Sequence, residues 1–255
     1  MHWPRNIAFM VMGGVIVVTA TLSTFSKHNR APQPGQGQQH DQRRKAEEFV
    51  NRLPVADYNE PEPSDHEELQ RRREKGAKYD KPEITVDADS EVVVGSTHWA
   101  SGLPAFPLSQ SNTVVVGTVT EARARMSNNK KGVYSEFTLE IEDVLKNDGD
   151  KSLKSDAAVS LDREGGRVRL PSGKVGIYYI PGQGIPLVGR RYLFFLSGKK
   201  SAGFTIVTGY GLHEGKVTPL DIPGIGHPFT KYDGADEQPF LDEVRAVIAR
   251  PLVSH

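Results

Sequence analysis

The stretch from Val133 to Glu142 constrains the fold more than any other part of the chain. Val133, Phe137, Leu139 and Ile141 share one parity, while Tyr134, Glu136, Thr138, Glu140 and Glu142 occupy the other. Side chains alternate across a strand, so this period of two describes a β-strand with one face on a core and the other in water. A helix of the same composition would scatter these apolar residues around its axis. The domain that holds this segment is therefore built on sheet.

Other segments agree. Thr113-Val-Val-Val-Gly-Thr-Val-Thr120 reads as a strand, and Glu91-Val-Val-Val-Gly-Ser-Thr97 as a shorter one, while Ser127-Asn-Asn-Lys-Lys-Gly132 is a hairpin loop. Further strands are expected at Ala157 to Leu161, Arg167 to Leu170, Val175 to Ile180, Arg191 to Leu196, Phe204 to Tyr210 and Lys216 to Leu220. Glu164-Gly165-Gly166, Pro171-Ser-Gly173 and His213-Glu-Gly215 supply the tight turns between them. Many short strands joined by glycine-rich turns predict an all-β fold, a small barrel or a sandwich.

Outside this domain the chain changes character. Ile7 to Phe25 is a run of nineteen uncharged residues, with Arg5 before it and Lys27 and Arg30 behind. A helix needs about twenty apolar residues to cross a bilayer, so this run is expected to serve as a membrane helix. A cleaved signal peptide is the alternative, with Val18-Thr19-Ala20 as its cleavage site. Ala31-Pro-Gln-Pro-Gly-Gln-Gly-Gln-Gln39 has no apolar surface to bury and reads as a linker. Two charged helical stretches follow, one at Asp41 to Leu53 and one starting at Ser64, where Glu67 completes a capping-box pattern. In the second, Glu67–Arg71, Glu68–Arg72 and Glu74–Lys78 stand four residues apart, an arrangement expected to neutralise the helix internally. An amphipathic helix is expected near Pro239 to Arg250, with Phe240, Leu241, Val244, Val247 and Ile248 as its apolar stripe. The organisation is thus a signal anchor or signal peptide (1–26), a polar stalk (27–82), a β-barrel domain (83–222), and a loop with a C-terminal helix (223–255).

Composition narrows the chemistry. The chain has no cysteine, which excludes disulfides, thiolate metal sites and a cysteine nucleophile. Lys and Arg number 32, as do Asp and Glu, so no net field draws the protein to nucleic acid.

Three segments in succession carry a resemblance: Thr113 to Thr120, Tyr134-Ser-Glu-Phe-Thr-Leu-Glu-Ile-Glu-Asp-Val-Leu-Lys146, and Val188-Gly-Arg-Arg-Tyr-Leu-Phe-Phe-Leu196. This succession resembles exported bacterial proteins of uncharacterised function and, more distantly, the OB-like barrel of the TIMP/netrin type. It covers roughly residues 110 to 215 and consists of strands, with no catalytic residue in it. The resemblance implies an OB-like barrel. It gives little support to peptidase inhibition, because the inhibitors build their inhibitory edge on an N-terminal cysteine and disulfides.

No catalytic motif emerges from the residues. His66-Glu67-Glu68-Leu69-Gln70 begins a zinc-protease pattern and lacks its second histidine. Gly182-Gln-Gly184 lacks the Lys-Ser/Thr ending of a phosphate loop, and no Gly-x-Ser-x-Gly elbow is present. Glu136, Glu140 and Glu142 share a strand face, and their alternation with core residues predicts that all three are solvated. Candidate contact residues for a partner are His98 and Trp99 in a loop, Tyr178 and Tyr210 on strands, and Arg167 and Arg169. The two arginines lie in the basic run Arg163-Glu-Gly-Gly-Arg-Val-Arg169, which Arg190 and Arg191 could join as an anion patch. No cofactor is expected. The partners expected are a membrane, through Ile7 to Phe25, and a protein or small ligand. The sequence therefore points to a binding module tethered outside the cytoplasmic membrane. Its alternatives are an envelope hydrolase or metal-dependent enzyme using His98, His213, Asp221 and His227, and a peptidase-inhibitor-like protein.

Overall fold

The computed structural model describes residues 10–12, 15–17, 44, 47–82, 85–86, 92–94, 102–148, 153–199, 203–222 and 226–250. Two short strands, β1 (Met10–Met12) and β2 (Val15–Val17), pair antiparallel within the run expected to form a membrane helix. The rest of that run lies outside the described residues. Among those that are described, no helix is long and apolar enough to cross a membrane. Two compact units are distinguished, residues 1–52 and residues 53–255, and the second contains everything that follows.

Strand β3 (Val55–Asp57) opens the second unit and is followed by helix α1 (His66–Lys78). Two short strands, β4 (Thr85–Val86) and β5 (Val92–Val94), lead to the long hairpin of β6 (Thr113–Met126) and β7 (Val133–Asn147). Next come β8 (Ala158–Glu164), β9 (Gly166–Arg169), β10 (Val175–Tyr179), β11 (Arg191–Lys199), β12 (Gly203–His213) and β13 (Lys216–Pro219). A 3-10 turn at Pro228–Tyr232 and helix α2 (Glu237–Ala249) finish the unit.

The strands form a five-stranded sheet, β3-β9-β10-β5-β4, and a six-stranded sheet, β11-β6-β7-β8-β12-β13, in which β11 also pairs with β12. Strand β12 divides one edge between two neighbours. Phe204 and Thr205 pair in parallel with Leu161 and Asp162 of β8, and Tyr210 to His213 pair with β13. The contact with β8 is only two residue pairs long, and β13 adds an outer strand. The expected β-rich fold is present, and its six-stranded sheet bends back on itself beside a second sheet without closing into a complete barrel.

The alternation in β7 reappears as burial, with Phe137, Leu139 and Ile141 packed in one core with Val119, Leu161, Phe194 and Phe204. Strand β6 is apolar on both faces for a clear reason. Val115 and Val119 join that core, while Val114 and Val116 join a second one, which α2 closes with Phe240, Leu241 and Val244. A third, smaller core lies between the sheets, around Ala56, Ala124, Val168 and Tyr178.

Candidate functional site

The outer face of β7 and β8 carries a dense cluster of charged side chains, and it lies under α1. Asp65, rather than the expected Ser64, caps α1 by accepting a hydrogen bond from the Glu68 amide at 2.8 Å. Three lysines then follow at three-residue spacing. Lys75 Nζ lies 2.7 Å from Glu136 Oε1, Lys78 Nζ 3.3 Å from Asp162 Oδ2, and Lys81 Nζ 2.9 Å from Glu164 Oε1. The acceptors form a patch because Glu136 faces Asp162 across the β7–β8 ladder, and Tyr134 faces Glu164 two pairs further along, on the same face.

A second knot gathers on Glu60, which receives Arg72, Arg123 and Arg125 at 2.9, 2.5 and 3.1 Å. Arg125 also donates through Nε to Glu136 at 2.6 Å, joining the two knots. At the end of α1 the Tyr79 hydroxyl donates to Asp162 at 2.5 Å, and its ring stacks on Tyr134. Asp162 is fully buried and also accepts from Thr205 Oγ1 at 2.8 Å.

The electrostatics follow from these contacts. Burial opposes the charge on Glu136, yet Lys75 first and Arg125 next more than offset it, so its carboxyl lies below the usual glutamate range. Burial, followed by the Asp162 and Glu164 charges, drives the Tyr79 phenol well above its ordinary value. Burial and then Glu136 do the same to Tyr134. An ionised carboxylate with both oxygens engaged by cations is a poor acid at neutral pH, and so are phenols with raised pKa values. The arrangement suits holding a charged segment better than moving a proton.

Several expectations are corrected. Glu136 is not solvated with Glu140 and Glu142, because α1 covers it; Glu140 and Glu142 are exposed, and Glu142 binds Thr118 and Arg191. The α1 charges do not neutralise one another as their spacing predicted. Arg72 reaches Glu60, Arg73 reaches Glu62, and Lys78 reaches Asp162. Tyr178 and Tyr210 are not free to meet a partner. Tyr178 is buried between the sheets, with its hydroxyl on Glu164 at 2.9 Å, and Tyr210 is buried beneath α2, donating to the Ala105 carbonyl at 2.8 Å. Both were expected on an open barrel face, and a second layer covers each.

The basic run divides in the same way. Arg169 is exposed and Arg167 half-buried, whereas Arg163 is only 2% exposed. Arg163 Nη2 donates to Asp221 Oδ2 at 2.8 Å. Asp221 also accepts from Thr208 Oγ1 and from the Gly184 amide. Arg191 is paired with Glu142 and Glu237. The expected anion patch thus loses Arg163 and Arg191 to ion pairs, while Arg169 is exposed and Arg190 half-buried.

His98 and Trp99 lie outside the described residues. Of the other proposed metal ligands, His213 is exposed beside Glu214, His227 caps the 3-10 turn, and Asp221 is held by Arg163. Among the described residues, no group of three or more His, Cys, Asp or Glu side chains is placed to hold a metal ion.

The residues that build the covered face, Glu60, Lys75, Lys78, Tyr79, Lys81, Arg125 and Asp162, did not stand out in sequence. The three-residue spacing of Lys75, Lys78 and Lys81 was the one available signal. No family model and no curated protein matches the chain.

Proposed function

We propose that this chain is a non-enzymatic interaction module of the cell envelope, carried at the membrane by Ile7 to Phe25, with the second unit outside the cytoplasmic membrane. The observation that carries this reading is the state of Glu136, which is held ionised between Lys75 and Arg125. The cluster under α1 presents Glu136 as an acceptor for two cations, an arrangement suited to holding a charged segment rather than to transferring a proton. The finer fold in this reading is an OB-like barrel. Support for it comes from the pairing circuit β11–β6–β7–β8–β12–β11, antiparallel at every step but the short β8–β12 contact. OB-type barrels are five-stranded and partly open, and they bind ligands on an outer face.

The test has two parts. Fractionated cells analysed by mass spectrometry should yield the intact N-terminus in the membrane; a mature chain starting at Thr21 in the soluble fraction would remove the anchor. Photo-crosslinking from the exposed positions Arg169 and Val188 in intact cells should give discrete adducts with one envelope component. Turnover of an envelope substrate by the purified protein, lost in a point variant, would replace this reading with the hydrolase.

A further inference from the structure

Helices α1 and α2 are held in opposite ways. Helix α2 buries Phe240, Leu241 and Val244 in an apolar core, whereas the only buried residue of α1 is Gly76. Its polar contacts to the sheet include the Lys75 and Lys78 ion pairs, a hydrogen bond from Lys75 to Ser160 Oγ, the Glu68–Arg125 pair, the knot on Glu60, and a hydrogen bond from Asn128 Nδ2 to the Arg73 carbonyl at 2.8 Å. These pairs are part-buried, with Arg72, Glu60, Lys75, Glu136 and Arg125 only 9–21% exposed and Asp162 buried, so salt screens them less than surface pairs. With no buried apolar side chain in α1, they are nonetheless what holds it down.

The flanks of α1 are secured differently. Before it, Leu53 and Ala56 sit in two cores, and β3 pairs with β9. After it, Tyr79 is buried on Tyr134, and the Asp80 and Lys81 oxygens accept hydrogen bonds from Asn129. The covered face also retains a cost, since the Tyr134 hydroxyl is buried without a hydrogen-bond partner.

From this contrast we infer that residues 60–78 form a flap, hinged at two apolar anchors and latched by charge, which lifts from the β7–β8 face while the sheet stays folded. Local opening draws on the segments with fewest buried apolar contacts, and α1 is such a segment. Lifting it exposes Arg125 and Glu136 to solvent and frees Lys75 and Lys78. This inference does not depend on the interaction reading, because its readout is backbone protection rather than binding.

Hydrogen exchange measured by mass spectrometry on the full chain tests it. Raising sodium chloride from about 0.05 to about 1 M should speed exchange across 60–78 by roughly tenfold, with β6, β7 and β12 unchanged. The double variant Lys75→Gln/Lys78→Gln should show the faster exchange already at low salt and lose most of its salt response. Protection of 60–78 that matches β7 at every salt concentration overturns the flap. So does a variant in which β7 and β12 lose protection in step with α1.

Discussion

Tyr79 lies face to face with Tyr134, the ring centroids 4.8 Å apart and the planes 15° from parallel. This stack joins the end of α1 to the outer face of β7, and the Tyr79 hydroxyl reaches past it to the buried Asp162. Substituting Tyr79→Phe keeps the stack and removes one hydrogen bond to a carboxylate, for an expected loss of about 1.5–3 kcal/mol. Tyr79→Ala removes both, with an expected loss of about 3–5 kcal/mol. Urea unfolding of the two variants checks the order; a Phe variant as unstable as the Ala variant would show that the ring contributes nothing.

Acid should loosen α1 before it unfolds the sheet. The Glu136 pKa is depressed in the folded protein, so its contribution is fully present above the unfolded-state value of about 4.3. That contribution fades as pH falls from there through the lower folded value. Melting temperatures of the parent and of Glu136→Gln, followed from neutral pH to about pH 2, should converge at the acid end. Parallel curves across that window would separate Glu136 from the acid response.

Alkaline titration offers a view of the same face and of the two sheets. Burial raises the phenols of Tyr79, Tyr134, Tyr178 and Tyr210 well above their ordinary value of 10.0. These four of the eight tyrosines should stay un-ionised at pH values where free tyrosine titrates, and ionise only as the protein unfolds. Raised phenol values stabilise the fold below the unfolded pKa, and this contribution is lost as pH climbs through the folded values. Absorbance near the phenolate band, recorded beside circular dichroism, separates the two events. Early ionisation of all eight would contradict their burial.

The parity of β7 gives the sharpest substitution test. Leu139 and Ile141 lie in the main core, whereas Glu140 between them is exposed. Leu139→Asp or Ile141→Asp buries an unpaired charge, and should leave the domain unfolded at 25 °C. Glu140→Lys should shift stability by less than about 0.5 kcal/mol. Far-ultraviolet circular dichroism of the purified variants settles the ranking, and the reverse order would refute the face assignment.

How far these features could be read from the sequence depended on range. Strand positions from β6 to β13 were legible because alternation and glycine turns are local, and α2 was legible from its apolar stripe. Strand ends were less so: β6 runs to Met126 rather than Thr120, since Ala124 and Met126 find a core only when β9 and β10 pack on them. The polar face was almost illegible. Arg72 and Lys78 have glutamates at favourable spacing within their own helix, and nothing local reveals that Glu60 and Asp162 compete for them. Tyr178 and Tyr210 failed as candidates for a related reason. Aromatic residues on strands face outward or inward according to layers that the strand itself does not encode.

The Arg163–Asp221 pair has a consequence for how the chain finds its alignment. Leu161, Asp162 and Arg163 follow one another on β8; Leu161 is in the core, Asp162 is buried among Lys78, Tyr79 and Thr205, and Arg163 meets Asp221. A slip of β8 by one residue exchanges every inward side chain for an outward one. It would set Asp162 before Asp221, carboxylate against carboxylate, and strand a guanidinium among groups chosen for an acid. Neighbouring residues of opposite charge thus give the strand a polarity across its thickness, like a key cut on both edges. Misaligned pairing is penalised twice, and the correct alignment is selected by repulsion as much as by fit.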